Sequence, residues 1–113
     1  MLFPTKGTTM IQHTIVFSFT DRQAEEQDAF IAEIRSICLD SGLATDFVST
    51  RHIAAPTDEY ARVFVSSAMV RMTCESLKTL EQLAVSAPLL GFQHREQDRK
   101  PYGVVWINHA PLA

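Results

Sequence analysis

Residues 10–19, Met-Ile-Gln-His-Thr-Ile-Val-Phe-Ser-Phe, alternate in a way that leaves little freedom of fold. As an extended strand they place Ile11, His13, Ile15, Phe17 and Phe19 on one face and Gln12, Thr14, Val16 and Ser18 on the other. The first row is too apolar to face water and has to be covered by helices. A histidine inside that row is either a core group bonded to a backbone carbonyl or the polar anchor of a pocket between sheet and helix.

A chain of 113 residues suits one domain with its own core. The apolar share of 46% with 20% charged residues fits a folded globule, and no apolar run approaches the length of a membrane-spanning helix. A formal charge of -3 with scattered Lys and Arg argues against nucleic acid as a partner. Cys38 and Cys74 lie far apart without zinc-type spacing, so both read as reduced core thiols. No metal site and no bound cofactor are expected. Residues 1–9 show no signal-peptide pattern and read as a tail outside a single domain at 10–113, in a cytoplasmic protein.

After the first strand, Thr20 is a candidate N-cap with Gln23 three residues later, and Glu25 and Glu26 suit the start of a helix. Ala24, Gln27, Phe30, Ile31, Ile34, Ile37 and Cys38 follow helical spacing, and Gly42 offers a left-handed stop. The spacing predicts a helix over 21–40. Residues 46–54 are β-rich without clean alternation, Pro56-Thr-Asp-Glu supplies turn chemistry, and a return strand over 63–73 follows, with a bulge placed near Ser66-Ser67. Leu77, Leu80, Leu83 and Ala84 predict a second helix within 75–86, closed or restarted at Pro88. The polar run 92–100 reads as a short helix or exposed loop leading to a last strand over 102–109.

The order is βαββαβ, an α+β ferredoxin-like arrangement: a four-stranded antiparallel sheet with two helices on one face. The other face, carrying Gln12, Thr14 and Val16, is left wet and partly apolar, which pairing with a second copy would relieve. A twofold homodimer, sheet against sheet, is the expected assembly.

Three stretches carry a family resemblance. His13-Thr-Ile-Val-Phe-Ser-Phe resembles the opening strand of the stress-responsive A/B barrel (Dabb) family of dimeric α+β barrels, Glu75-Ser-Leu with Leu90-Gly-Phe resembles its second motif, and 101–109 occupies the place of its closing strand. The resemblance spans nearly all of 10–110 and implies the dimeric barrel. The family includes a polyketide cyclase whose catalytic histidine falls here on Leu89 and whose partner tyrosine falls on Leu83. Two leucines cannot move a proton, so only His13 matches that machinery. An aromatic wall matches through Phe17, Phe30, Phe92 and Trp106.

Two functional readings follow. One is a non-catalytic dimeric barrel that binds a small apolar or aromatic ligand against His13, Ile15, Phe17, Phe30, Ile34, Leu83, Leu89, Phe92 and Trp106. The other is a cofactor-independent enzyme on the same frame, polyketide cyclase-like or quinol monooxygenase-like, with His13 as the best catalytic candidate. Other polar groups have plainer roles. His109 falls beside the first strand and close to His13, but no third ligand for a shared metal is evident, so it reads as a structural or surface group. Arg51-His52 reads as an edge-strand charge pair, Arg71 as an inward guanidinium closing a salt bridge across the dimer, and 94–100 as a solvated surface.

Overall fold

The computed structural model describes residues 9–61 and 65–112. Its elements run β1 (Ile11–Ser18), α1 (Ala24–Asp40), β2 (Ala44–Arg51), a 3-10 turn (Pro56–Tyr60), β3 (Ala68–Cys74), α2 (Leu77–Ala84), α3 (Ala87–Arg99) and β4 (Gly103–His109). The four strands form one antiparallel sheet in the order β2-β3-β1-β4. This is the expected α+β ferredoxin-like architecture, with three helices on the covered face where the sequence suggested two. The additional one is α3. Its strongly polar run hides a helix whose buried positions are only Leu89, Phe92 and Glu96.

Period-two alternation decides what each strand residue meets. Register pairs Ile15 with Val70, Phe17 with Ala68 and His13 with Met72, and on the other side Ile15 with Trp106 and His13 with Asn108. These positions face the helices. Val70 and Met72 are almost completely buried against Ile34, Cys38, Leu80, Leu83 and Phe92.

In β2, Ala44 and Phe47 are both buried although three residues apart, which a regular strand cannot do. A bulge at Thr45 solves this: Ala44 opposes Cys74, yet Asp46 already opposes Thr73. The irregularity expected near Ser66-Ser67 therefore lies in β2, and it explains the missing alternation there. Ser67 instead extends the ladder, its N–H donating to the Phe17 carbonyl at 2.8 Å. The start of the expected return strand, at 63–64, lies outside the described residues, as do residues 1–8 of the proposed tail.

Helix α1 starts three residues later than predicted. Gln23, not Thr20, is its N-cap, without a side-chain cap bond, while Glu25 and Glu26 occupy the first turn as expected. It stops at Gly42, whose φ of 75° is the left-handed conformation that glycine adopts without strain. Helix α2 is capped by Ser76, whose hydroxyl accepts the Thr79 N–H at 3.2 Å.

Candidate functional site

Between the sheet and helices α1, α2 and α3 lies a cavity of about 510 Å³. Its sheet wall comes from alternate residues of three strands: His13, Ile15 and Phe17 of β1, Met72 of β3, and Val104, Trp106 and Asn108 of β4. The helix wall is Ile34 from α1, the leucine face of α2 with Leu80 and Leu83, and Leu89, Gln93 and Gln97 from α3. The last three are four residues apart and thus stack along one helix face.

The polar residues of the sheet wall are His13 and its cross-strand neighbour Asn108. The Nδ1 of His13 lies 2.6 Å from Asn108 Oδ1, and its ring is tilted against Trp106 at 6.0 Å between centroids. Burial lowers its pKa below the ordinary 6.5; the bond to Asn108 opposes that shift and the nearby His109 adds slightly to it. At neutral pH the ring is therefore uncharged. With Asn108 Oδ1 as acceptor, the single proton sits on Nδ1, so Nε2 carries the lone pair. Among the described residues Nε2 has no hydrogen-bond partner, and His13 can accept a proton or a hydrogen bond from a molecule in the cavity.

Of the residues expected to form the site, His13, Ile15, Phe17, Ile34, Leu83, Leu89 and Trp106 line this cavity. Phe30 and Phe92 do not. They pack behind it with Phe17, Phe19 and Tyr102, at centroid separations of 4.9–6.1 Å. That aromatic cluster surrounds the guanidinium of Arg22, which lies 4.9 Å from the Phe30 centroid. Arg22 donates to Glu96 Oε1 at 2.7 Å and to the carbonyls of Glu96 and Lys100, tying the loop before α1 to the end of α3.

Glu96 corrects the reading of 94–100 as a solvated surface, since its side chain is only 6% exposed. Burial alone would push its carboxyl up, but hydrogen bonds from Arg99, Arg22 and Arg95 outweigh that and hold it at about 2.

Sequence reasoning missed the cavity's other polar residues, Asn108, Glu81, Gln93, His94, Gln97 and Tyr102, and apolar ones such as Met72 and Leu80. Asn108 was within reach of the alternation argument, because it continues the Val104, Trp106 row and directly opposes His13. The α3 residues required recognising that helix first.

The remaining polar residues separate. His109 faces the other side of the sheet from His13: its Nε2 lies 2.7 Å from Thr14 Oγ1 and its Nδ1 donates to the Ala110 carbonyl at 2.6 Å. That placement rules out a shared metal, and no cluster of three metal-ligating side chains occurs among the described residues. On the β2 edge, Arg51 pairs with Asp28 of α1 at 3.2 Å and His52 pairs with Asp58 at 2.7 Å. Asp58 is held below its usual range by the Ala55 N–H first and by His52 second. Both cysteines are buried, and burial pushes the Cys38 thiol up to about 12.

No protein-family model matches the sequence, and neither does any curated protein. Solved structures do match. A hydroxynitrile lyase from Passiflora edulis superposes with a TM-score of 0.73 at 15% identity, over 93% of this chain and 95% of that one. A Dabb family protein with a ferredoxin-like fold from Mesorhizobium loti gives 0.71 at 18% identity, over 93% and 99%. A dimeric ferredoxin-like protein of unknown function from Thermobifida fusca gives 0.70 at 8% identity, over 95% of each chain. At these identities the likeness establishes the fold: the frame expected from His13–Phe19, Glu75-Ser-Leu and Leu90-Gly-Phe is the ferredoxin-like frame of solved structures that include a Dabb protein.

Proposed function

We propose that the chain binds a small, largely apolar molecule of aromatic size in the cavity between sheet and helices, with the molecule's polar end on His13, and that it works as a homodimer joined through the open sheet face. One observation carries the reading: a cavity of about 510 Å³, walled mostly by hydrocarbon, holds a neutral imidazole whose tautomer is set by Asn108. Ligand sites commonly have that volume and that mix of an apolar wall with a few placed polar groups. The dimer is supported by the exposed apolar residues of the open face and by similar proteins described as dimeric.

Trp106 is the chain's single tryptophan and lines the cavity, so its fluorescence reports occupancy directly. Titration with a panel of small phenols and naphthols is expected to give saturable changes that Ala84→Phe, which puts a ring into the cavity lining without adding a second indole, weakens or abolishes. A panel that leaves the emission unchanged overturns the reading.

The free Nε2 of His13 supports a second reading, a cofactor-independent enzyme in which His13 is the general base. A hydroxynitrile lyase on this fold makes small hydroxynitriles reasonable first substrates to test beside polyketide-like and quinol-like aromatics. His13→Gln should then abolish turnover while leaving the melting temperature nearly unchanged.

A further inference from the structure

The open face of the sheet carries Val16, Val48, Met69, Val105 and Ile107, of which Val105 and Ile107 are 66% and 60% exposed. Its polar groups are mostly satisfied within the chain. Gln12 bonds Thr73 and the Leu112 N–H, and both ring nitrogens of His109 are engaged by Thr14 and the Ala110 carbonyl. Two groups stand apart. Arg71, half-buried on the central strand β3, makes no ion pair among the described residues. Among the described residues Asp46 is the one acid whose strand position faces this side; one of its carboxylate oxygens accepts the Phe47 N–H, and the other has no partner among them.

The register sets Val48 opposite Arg71 and Asp46 opposite Thr73, so acid and base sit one diagonal apart on the same face without touching. A face bearing one cation, one anion and an apolar field is complementary to itself. In a twofold contact any bond from Arg71 to the partner's Asp46 is repeated in reverse, and the guanidinium of Arg71, which burial would otherwise leave unpaired, gains a carboxylate. We propose that Arg71 of each copy pairs with the partner's Asp46 across the facing sheets, and that these two reciprocal ion pairs set the register of the dimer. The inference rests on the dimer reading given above and adds to it the residues that fix its geometry.

The test is a charge-swap cycle read by sedimentation equilibrium, with far-UV circular dichroism confirming that each variant folds. Arg71→Asp and Asp46→Arg alone are each expected to raise the dimer dissociation constant by about tenfold or more, and the double swap to return it to within about threefold of wild type. A wild-type chain that stays monomeric removes the dimer reading and this inference with it. A stable dimer whose affinity shows no coupling between the two sites overturns the ion pairs alone. Coupling that appears in the unfolding of the monomer, at a size independent of concentration, assigns the pair to one chain and likewise overturns the proposal.

Discussion

Replacing Glu96 with glutamine removes one charge from the most deeply buried ionic contact of the fold and leaves its shape almost unchanged. The carboxylate meets Arg22 at 2.7 Å, with side-chain exposures of 1% for Arg22 and 6% for Glu96, and it also accepts from Arg95 and Arg99. Once it is neutral, Arg22 remains charged inside a cage of Phe19, Phe30 and Tyr102 with no counter-ion there. Breaking one side of a buried pair costs about 3 kcal/mol or more, because the surviving charge stays desolvated. For a domain of this size that corresponds to a fall in Tm on the order of 12 °C. Arg22→Met combined with Glu96→Leu removes both charges and should recover most of the loss.

The pH dependence supplies a second check on the same pair. The folded carboxyl is depressed to about 2, so its contribution is fully present above the ordinary carboxylate range and is lost as pH falls through about 2. The Tm gap between wild type and Glu96→Gln should therefore be constant from pH 7 to 5 and close as the pH is lowered further. A Tm change under about 3 °C at pH 7, or a double variant as unstable as the single one, would show that solvent screens the cluster and that it does not lock α3 to the loop before α1.

His13 should titrate below 6.5 when followed by ring-carbon NMR. Its depressed pKa means that the unfolded chain takes up this proton first, so stability falls as pH drops below 6.5, and His13→Gln should flatten that slope. Ellman's reagent at pH 8 should find no reactive thiol in the native protein and both cysteines in guanidinium, because Cys38 and Cys74 are fully buried with raised pKa values. Ser76→Ala removes the α2 cap and should lower stability by about 1 kcal/mol in chemical denaturation. Leu83→Ala, at a 1% exposed core position, should lower it by roughly 3 kcal/mol.

The fold was legible wherever one periodicity ran unbroken. The β1 alternation and the α1 spacing each named their buried residues, because a half-covered strand and an amphipathic helix both write their inner face into the chain. Legibility failed where one residue carried two meanings. Glu96 reads as solvent-facing by type, and the partner that buries it, Arg22, lies 74 residues earlier in the chain, while its neighbours Arg95 and Arg99 along α3 look like an ordinary solvated charge run. Phe30 was rightly placed on the inner side of α1 but not in depth, since spacing gives direction and says nothing of whether a ring meets a cavity or other rings; Phe92 was assigned to the site only by resemblance, in a run whose helix the spacing did not give.

The same alternation divides the two proposed roles between the two faces of one strand. In β1, His13, Ile15 and Phe17 look into the cavity while Gln12, Thr14 and Val16 look toward the open face, so ligand and partner are separated by the thickness of a single sheet. A shift of one residue in the β1 register would carry His13 to the open side and Thr14 into the cavity, losing both surfaces at once. Asn108 guards against that slip, because its bond to His13 forms only when the β1–β4 pairing is in register. Asn108→Ala should therefore act on the site in two ways: it frees the His13 tautomer and it loosens the strand pairing that aims the ring. Asn108→Asp separates these effects by keeping an acceptor in place and adding a charge beside the imidazole, which should raise the His13 pKa relative to wild type. An NMR titration in which that variant leaves the His13 pKa unmoved would mean that the 2.6 Å contact does not control the ring, and the assignment of Nε2 as the free nitrogen would go with it.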